Sequence, residues 1–104
     1  MEGFYTKEIG QAHVKAYLTG IAEHLQLRYY GEPIVHALGG AGKDQNEGFD
    51  AFLSLIDSGI SFYVWTKAKF FAAVLFICKH FDSEEALEYS RQYFATSMLV
   101  HKDF

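Results

Sequence analysis

Ser58 and Cys78 carry the side chains of this chain best suited to covalent chemistry: an alcohol that becomes a nucleophile once its proton is taken, and the only thiol. Twenty positions apart, they bound the stretch SGISFYVWTKAKFFAAVLFIC. Residues 60–65 and 70–78 are runs of aromatic, β-branched and aliphatic residues, and Thr66, Lys67, Ala68 and Lys69 separate them. That is the pattern of two antiparallel strands and a short connection. A tight turn there pairs Trp65 with Phe70. Counting back along the ladder sets Tyr63 against Ala72, Ser61 against Val74, and Asp57 and Ser58 against Cys78 and Ile77. Directly opposed positions lie about 4.5–5.5 Å apart, so the hydroxyl and the thiol are expected to share one small site.

Other residues that can do chemistry are less well placed. Gly39-Gly40-Ala41-Gly42-Lys43 has the composition of a phosphate loop, but G-x-x-x-x-G-K-[ST] needs Gly where Ala37 stands and Ser or Thr where Asp44 stands. No helix N-terminus follows to hold the anion, so the segment reads as an ordinary polar loop. The five histidines, His13, His24, His36, His80 and His101, are scattered without a recognised ligand spacing, and no metal is expected. A lone strand cysteine is ordinarily a small buried hydrophobe; it is the neighbouring serine that gives Cys78 a chemical reading. Trp65 and the aromatic rows read as core or dimer interface.

The elements that must hold this hairpin follow from periodicity and breakers. Gly3–Ile9 reads as a short first strand. From Gln11 to Leu27, Val14, Leu18, Ile21 and Leu25 recur at helical spacing and lay one apolar stripe, with Gly20 a weak point. Arg28–Leu38 reads as extended, and Pro33, which lacks a ladder donor, favours an edge position. Gly39–Gly48 is polar and glycine-rich, a loop; Phe49–Ile56 reads as another strand. Asp82 can cap a second helix, with Glu85 answering as in a capping box, running to about Ala95. Its apolar positions are Ala86, Leu87, Tyr93 and Phe94, with Ser90 between. Met98–His101 reads as a last short strand. The order β-α-β-β-β-β-α-β implies an α+β fold: one domain over residues 1–104, a two-layer sandwich of a mostly antiparallel sheet with two helices on one face.

Half of the 104 residues are hydrophobic, with ten Phe and seven Tyr, enough for a real core. Both faces of the 70–78 strand are apolar: Phe70, Ala72, Val74, Phe76 and Cys78 on one, Phe71, Ala73, Leu75 and Ile77 on the other. Helices cover only one face, so a second copy facing it is the simplest cover, which predicts a homodimer. A net charge of −4 with no basic cluster argues against a nucleic-acid partner. The longest apolar run, Phe70–Cys78, is too short to cross a bilayer as a helix. A single cysteine forms no internal disulfide, and the first residues, MEGFYTKEIG, show no signal pattern, so a reducing cytoplasm is expected.

The ordered set of Asp57-Ser58-Gly59, a hydrophobic strand, Trp65, a turn, Phe70–Ala73 and Leu75-Phe76-Ile77-Cys78 resembles the small prokaryotic type of S-adenosylmethionine decarboxylase. The resemblance extends loosely over the whole chain. It implies that Ser58, preceded by the acidic Asp57, attacks its preceding carbonyl to form an ester, which eliminates to dehydroalanine and hydrolyses to a pyruvoyl group. That covalent cofactor, present only if self-processing occurs, serves as electron sink for loss of carbon dioxide, with Cys78 as proton donor. It also implies a small-molecule ligand such as S-adenosylmethionine, bound near Trp65 and residue 67, and a place in polyamine metabolism.

Five positions depart from the family pattern. A histidine that helps processing is replaced by Tyr63, and a phenol, which ordinarily titrates near 10, takes up a proton less readily near neutral pH than an imidazole. Pro-Glu after the tryptophan becomes Thr66-Lys67, so a carboxylate facing a sulfonium ligand becomes a cation. A second family serine matches Asp50, and the usual Gly after the cysteine is Lys79. Two readings follow: a diverged pyruvoyl-dependent decarboxylase of S-adenosylmethionine or a related amino-acid substrate, in which Tyr63 takes the processing position, or an unprocessed, non-catalytic binding or regulatory homologue.

Overall fold

A computed structural model describes residues 1–38, 47–78, 81–96 and 99–101. The expected loop over residues 39–46 lies outside them, as do Lys79, His80 and Met98.

The chain runs β1 (Glu2–Phe4), α1 (Gln11–His24), β2 (Ile34–Leu38), β3 (Gly48–Leu55), β4 (Ser58–Trp65), β5 (Phe70–Phe76), α2 (Ser83–Tyr93) and β6 (Leu99–Val100). The strands form one six-stranded antiparallel sheet in the order β2-β3-β4-β5-β1-β6. This is the expected α+β architecture. The hairpin register is the predicted one: Trp65 opposes Phe70, Tyr63 opposes Ala72 and Ser61 opposes Val74. β2 is an edge strand, entered directly from Pro33, as proline's missing donor requires.

Several boundaries differ from expectation, each for a local reason. β1 stops at Phe4 because its partner β5 begins at Phe70, the residue opposite. One further bond, Tyr5 N–H to Lys69 O at 2.8 Å, ends the pairing, after which Tyr5 and Ile9 turn into the core. The extended segment over 28–38 is split. Tyr29 bridges Leu55, then Gly31 at φ 48° breaks the chain before β2. α1 ends at His24 rather than Leu27 because Gln26 takes the left-handed conformation at φ 58°. Gln26 N–H then bonds Glu23 O and Leu27 N–H bonds Ala22 O, satisfying two carbonyls of the last turn. Asp82 caps α2 as predicted, its Oδ1 accepting from the N–H groups of Glu84 and Glu85 at 3.0 and 3.2 Å. Glu85 takes part through its main chain.

The core lies between the sheet and the helices. Val14, Leu18 and Ile21 of the α1 stripe are fully buried, joined by Tyr17 and Ala22. On the sheet they meet Ala51, Leu53 and Leu55, Ile60, Phe62 and Val64, and Phe71 and Ala73. Tyr17, Phe62, Phe71 and Phe94 form an aromatic centre, with Phe94 4.7 Å from Tyr17 and 4.4 Å from Phe71 between ring centroids. Gly20 has a packing role: a β-carbon there would collide with the Tyr89 hydroxyl, so its absence lets α2's aromatic ring cross α1. Among the described residues, no helix covers the other face of the sheet. Phe4, Ile34, Phe52, Tyr63, Val74, Phe76 and Val100 all stand exposed, Phe76 to 71% and Phe4 to 64%.

Candidate active site

The tight connection between β3 and β4 builds the serine end of the site. Leu55 pairs with Ser58, leaving only Ile56 and Asp57 to turn the chain. Asp57 accepts the left-handed conformation this needs, at φ 59°; aspartate tolerates that region better than most residues, at a cost of about 1 kcal/mol. The peptide bond between Asp57 and Ser58 thus sits at the mouth of a hairpin, attached to a strained residue. Gly59 follows with the Phe52 ring packed over it: a β-carbon there would lie 2.5 Å from the ring. Phe52 covers the backbone next to the serine.

Ser58 and Cys78 meet, but not through the thiol. Beyond the last ladder pair, Gly59 with Phe76, the chain continues through Ile77, and the backbone N–H of Cys78 donates to Ser58 Oγ at 2.9 Å. Ser58 is half-buried, while Cys78 and Asp57 are exposed, and the thiol is free. A neutral donor aimed at a hydroxyl oxygen stabilises negative charge developing there. Chemically, the pair is a serine with a favoured oxyanion and a nearby accessible thiol.

The remaining sequence-derived residues lie elsewhere. Tyr63 and Trp65 stand on the open face at the far end of β4, about 16 and 23 Å from Ser58 at 3.3 Å per residue. Lys67 is exposed in the connection beyond them. Trp65 packs against Phe70 with centroids 5.5 Å apart. Within one copy, therefore, Ser58 and Cys78 come together and Tyr63, Trp65 and Lys67 do not join them. Of the histidines, His13 has a structural bond, its Nδ1 accepting from Gly10 N–H at 3.0 Å at the start of α1. His24 packs against Tyr89. Among the described residues no group of three His, Cys, Asp or Glu side chains is placed to hold a metal ion, and no helix is long and apolar enough to cross a membrane.

One constellation escaped the sequence reading. The β3–β4 register puts Asp50 opposite Tyr63, and the β2–β3 register puts His36 opposite Asp50, a polar row on the open face. The two-residue turn at Ile56-Asp57 was the signal for the first pair, since it fixes every later opposition. The second depends on the span over 39–46 and has no such signal.

The order of Ser58, Trp65 and Cys78 on one hairpin of an antiparallel sheet is matched by a comparison of the whole sequence: the model of the S-adenosylmethionine decarboxylase family fits residues 9–103. The chain belongs to that family. The match takes in both helices, β2 to β6 and every candidate site residue. No curated protein matches the chain. Family membership accounts for the fold.

Proposed function

We propose that this chain, acting as a single domain, is a self-processing decarboxylase of S-adenosylmethionine or a related amino-acid-derived substrate. The observation that carries the reading is the 2.9 Å hydrogen bond from Cys78 N–H to Ser58 Oγ, one residue after left-handed Asp57. In processing, the Ser58 oxygen attacks the Asp57 carbonyl carbon. The amide C–N bond is exchanged for an ester, and the serine proton goes to the freed amine. Loss of the Cα proton of residue 58 then expels the Asp57 carboxylate, and hydrolysis of the resulting enamine releases ammonia. The Cys78 donor supports the first step by stabilising charge on the oxygen, and the strain at Asp57 is relieved as the bond is exchanged. The residues present fit a pyruvoyl group made from Ser58, and that group supplies an electron sink for loss of carbon dioxide. Cys78, exposed at the same strand end and kept reduced in a cytoplasmic setting, is the proton donor.

A homodimer belongs to the same reading. Two sheets packed open face to open face bury the exposed apolar residues. A two-fold arrangement that reverses strand direction brings Tyr63 and Trp65 of one copy toward the Ser58 end of the other, offsetting the separation within a copy.

Mass spectrometry of the purified protein tests the proposal. Self-processing converts the 11.8 kDa chain into two fragments divided between Asp57 and Ser58, the second starting with a pyruvoyl group, and Ser58→Ala stays whole. A wild-type chain that stays whole after long incubation rejects the enzyme. The second reading, an unprocessed binding homologue, is favoured by Tyr63 where the resemblance expects a histidine. It predicts an intact mass together with a rise in melting temperature on adding S-adenosylmethionine.

A further inference from the structure

The open face is apolar except along one row. At the level of Tyr63 the strands oppose His36 to Asp50, Asp50 to Tyr63, Tyr63 to Ala72 and Ala72 to Glu2. Asp50 is half-buried and stands between an imidazole and a phenol, with β-carbons about 4.5–5.5 Å to either side. Its side chain makes no hydrogen bond or ion pair among the described residues. Two residues along, Gly48 opposes Trp65 and Trp65 opposes Phe70. Gly48 is closed over by the Val64 carbonyl, and Ala72 has only a methyl beside the phenol. Tyr63, Trp65 and Phe70 thus stand as neighbours on the open face, with the Asp50 carboxylate next to the phenol.

A carboxylate held on an apolar face without a partner is costly, the more so once a second copy excludes water from it. The electron-rich faces of the adjoining rings attract the same kind of charge as the carboxylate does. We infer that Asp50 is the counter-ion for a small organic cation, a sulfonium or alkylammonium group, held over the Tyr63, Trp65 and Phe70 rings. Glu2, farther along the row, adds to the negative potential, and Lys67 lies outside the row in the turn. The inference deepens the proposed function by naming the residue that reads the substrate's charge, and it rests on that reading for the identity of the ligand.

Calorimetric titration of the full chain tests it with three probes: S-adenosylmethionine, its uncharged-sulfur counterpart S-adenosylhomocysteine, and tetramethylammonium. The wild type is expected to bind the sulfonium at least about tenfold tighter than the thioether. Asp50→Asn, checked for an unchanged melting temperature, abolishes that preference, and Asp50→Glu keeps part of it. Equal binding of the two nucleosides by the wild type, or an undiminished preference in Asp50→Asn, overturns the inference while leaving the decarboxylase reading standing. Binding of tetramethylammonium alone, lost in Asp50→Asn, keeps the cation site and removes S-adenosylmethionine as its ligand. Failure of every probe to bind the wild type rejects the site.

Discussion

Tyr17 shows how one residue ties stability to pH in this fold. Its ring is fully buried against Phe62, Tyr93 and Phe94, and its hydroxyl shares a 2.7 Å hydrogen bond with Ser90, also buried. Burial raises its phenol well above the usual value, an effect the Ser90 hydroxyl partly offsets. Burial, reinforced by Glu8, pushes Tyr5 up to about 12. A raised acid binds its proton more tightly in the folded state. Below pH 10 both states are protonated and the stability is whole; above it the unfolded chain ionises first and stability falls as pH climbs. Each such tyrosine contributes a slope of about 1.4 kcal/mol per pH unit, for Tyr5 over the window from 10 to about 12. Urea unfolding at pH 9, 10 and 11 is expected to show this decline, and Tyr17→Phe to make it shallower by about 1.4 kcal/mol per pH unit; an unchanged slope rejects the assignment. Tyr17 was not legible as a core residue, since the α1 stripe of Val14, Leu18, Ile21 and Leu25 is complete without it. Its burial follows from α2 crossing at Gly20, a contact between distant segments. Ser58 and Cys78 were legible as neighbours because hairpin pairing is local arithmetic. That the contact is made by a main-chain N–H was not, because it depends on how the strand ends after Phe76.

The helices end alike, and neither end was legible. In α2 the residue after Phe94, Ala95, is left-handed at φ 51°; its N–H bonds Gln92 O and the Thr96 N–H bonds Arg91 O. This is the termination seen at Gln26. Glycine usually occupies that position and signals it in a sequence; here Gln26 and Ala95 hold it under strain because the buried Leu27 and Thr96 behind them fix the exit of the chain. An L-residue in that conformation costs about 1–2 kcal/mol, from which glycine's greater freedom in the unfolded chain must be subtracted. Ala95→Gly is therefore expected to stabilise by about 0.5–1 kcal/mol and to raise the melting temperature by roughly 3–5 °C. The Thr6 hydroxyl bond to the Ala95 carbonyl survives the change, being to main chain. A calorimetric scan showing a lower melting temperature refutes the strain. By contrast, the starts of both helices, the β4–β5 register and the edge placement of β2 were readable, because Asp82, the apolar runs and Pro33 act through neighbouring atoms alone.

At the scale of the whole molecule the two faces of the sheet are unequal. One face is closed by α1 and α2; the other presents Phe4, Phe52, Val74, Phe76 and Val100 to solvent, and large exposed apolar patches mark interaction sites. The two-sided apolar pattern of β5 predicted this from sequence, whereas the polar row of His36, Asp50 and Tyr63 crossing the face needed the register of three strands. A stable interface removes about 800 Å² per copy, roughly one eighth of the chain's 6369 Å² surface, well within the reach of six strands. Val74, opposite Ser61 in the body of the face, is where a charge does most harm to the pairing and least to the core. Sedimentation of the wild type is expected to give twice 11.8 kDa, and Val74→Lys to give a folded single copy by circular dichroism; should that variant not fold, Phe4→Lys on the neighbouring strand asks the same question. If Tyr63 and Trp65 serve the serine of the facing copy, chain scission slows in the single-copy variant although Ser58, Asp57 and Cys78 are untouched. A wild type that sediments as one copy removes the dimer, and scission at full rate in a single-copy variant confines the processing chemistry to the one hairpin.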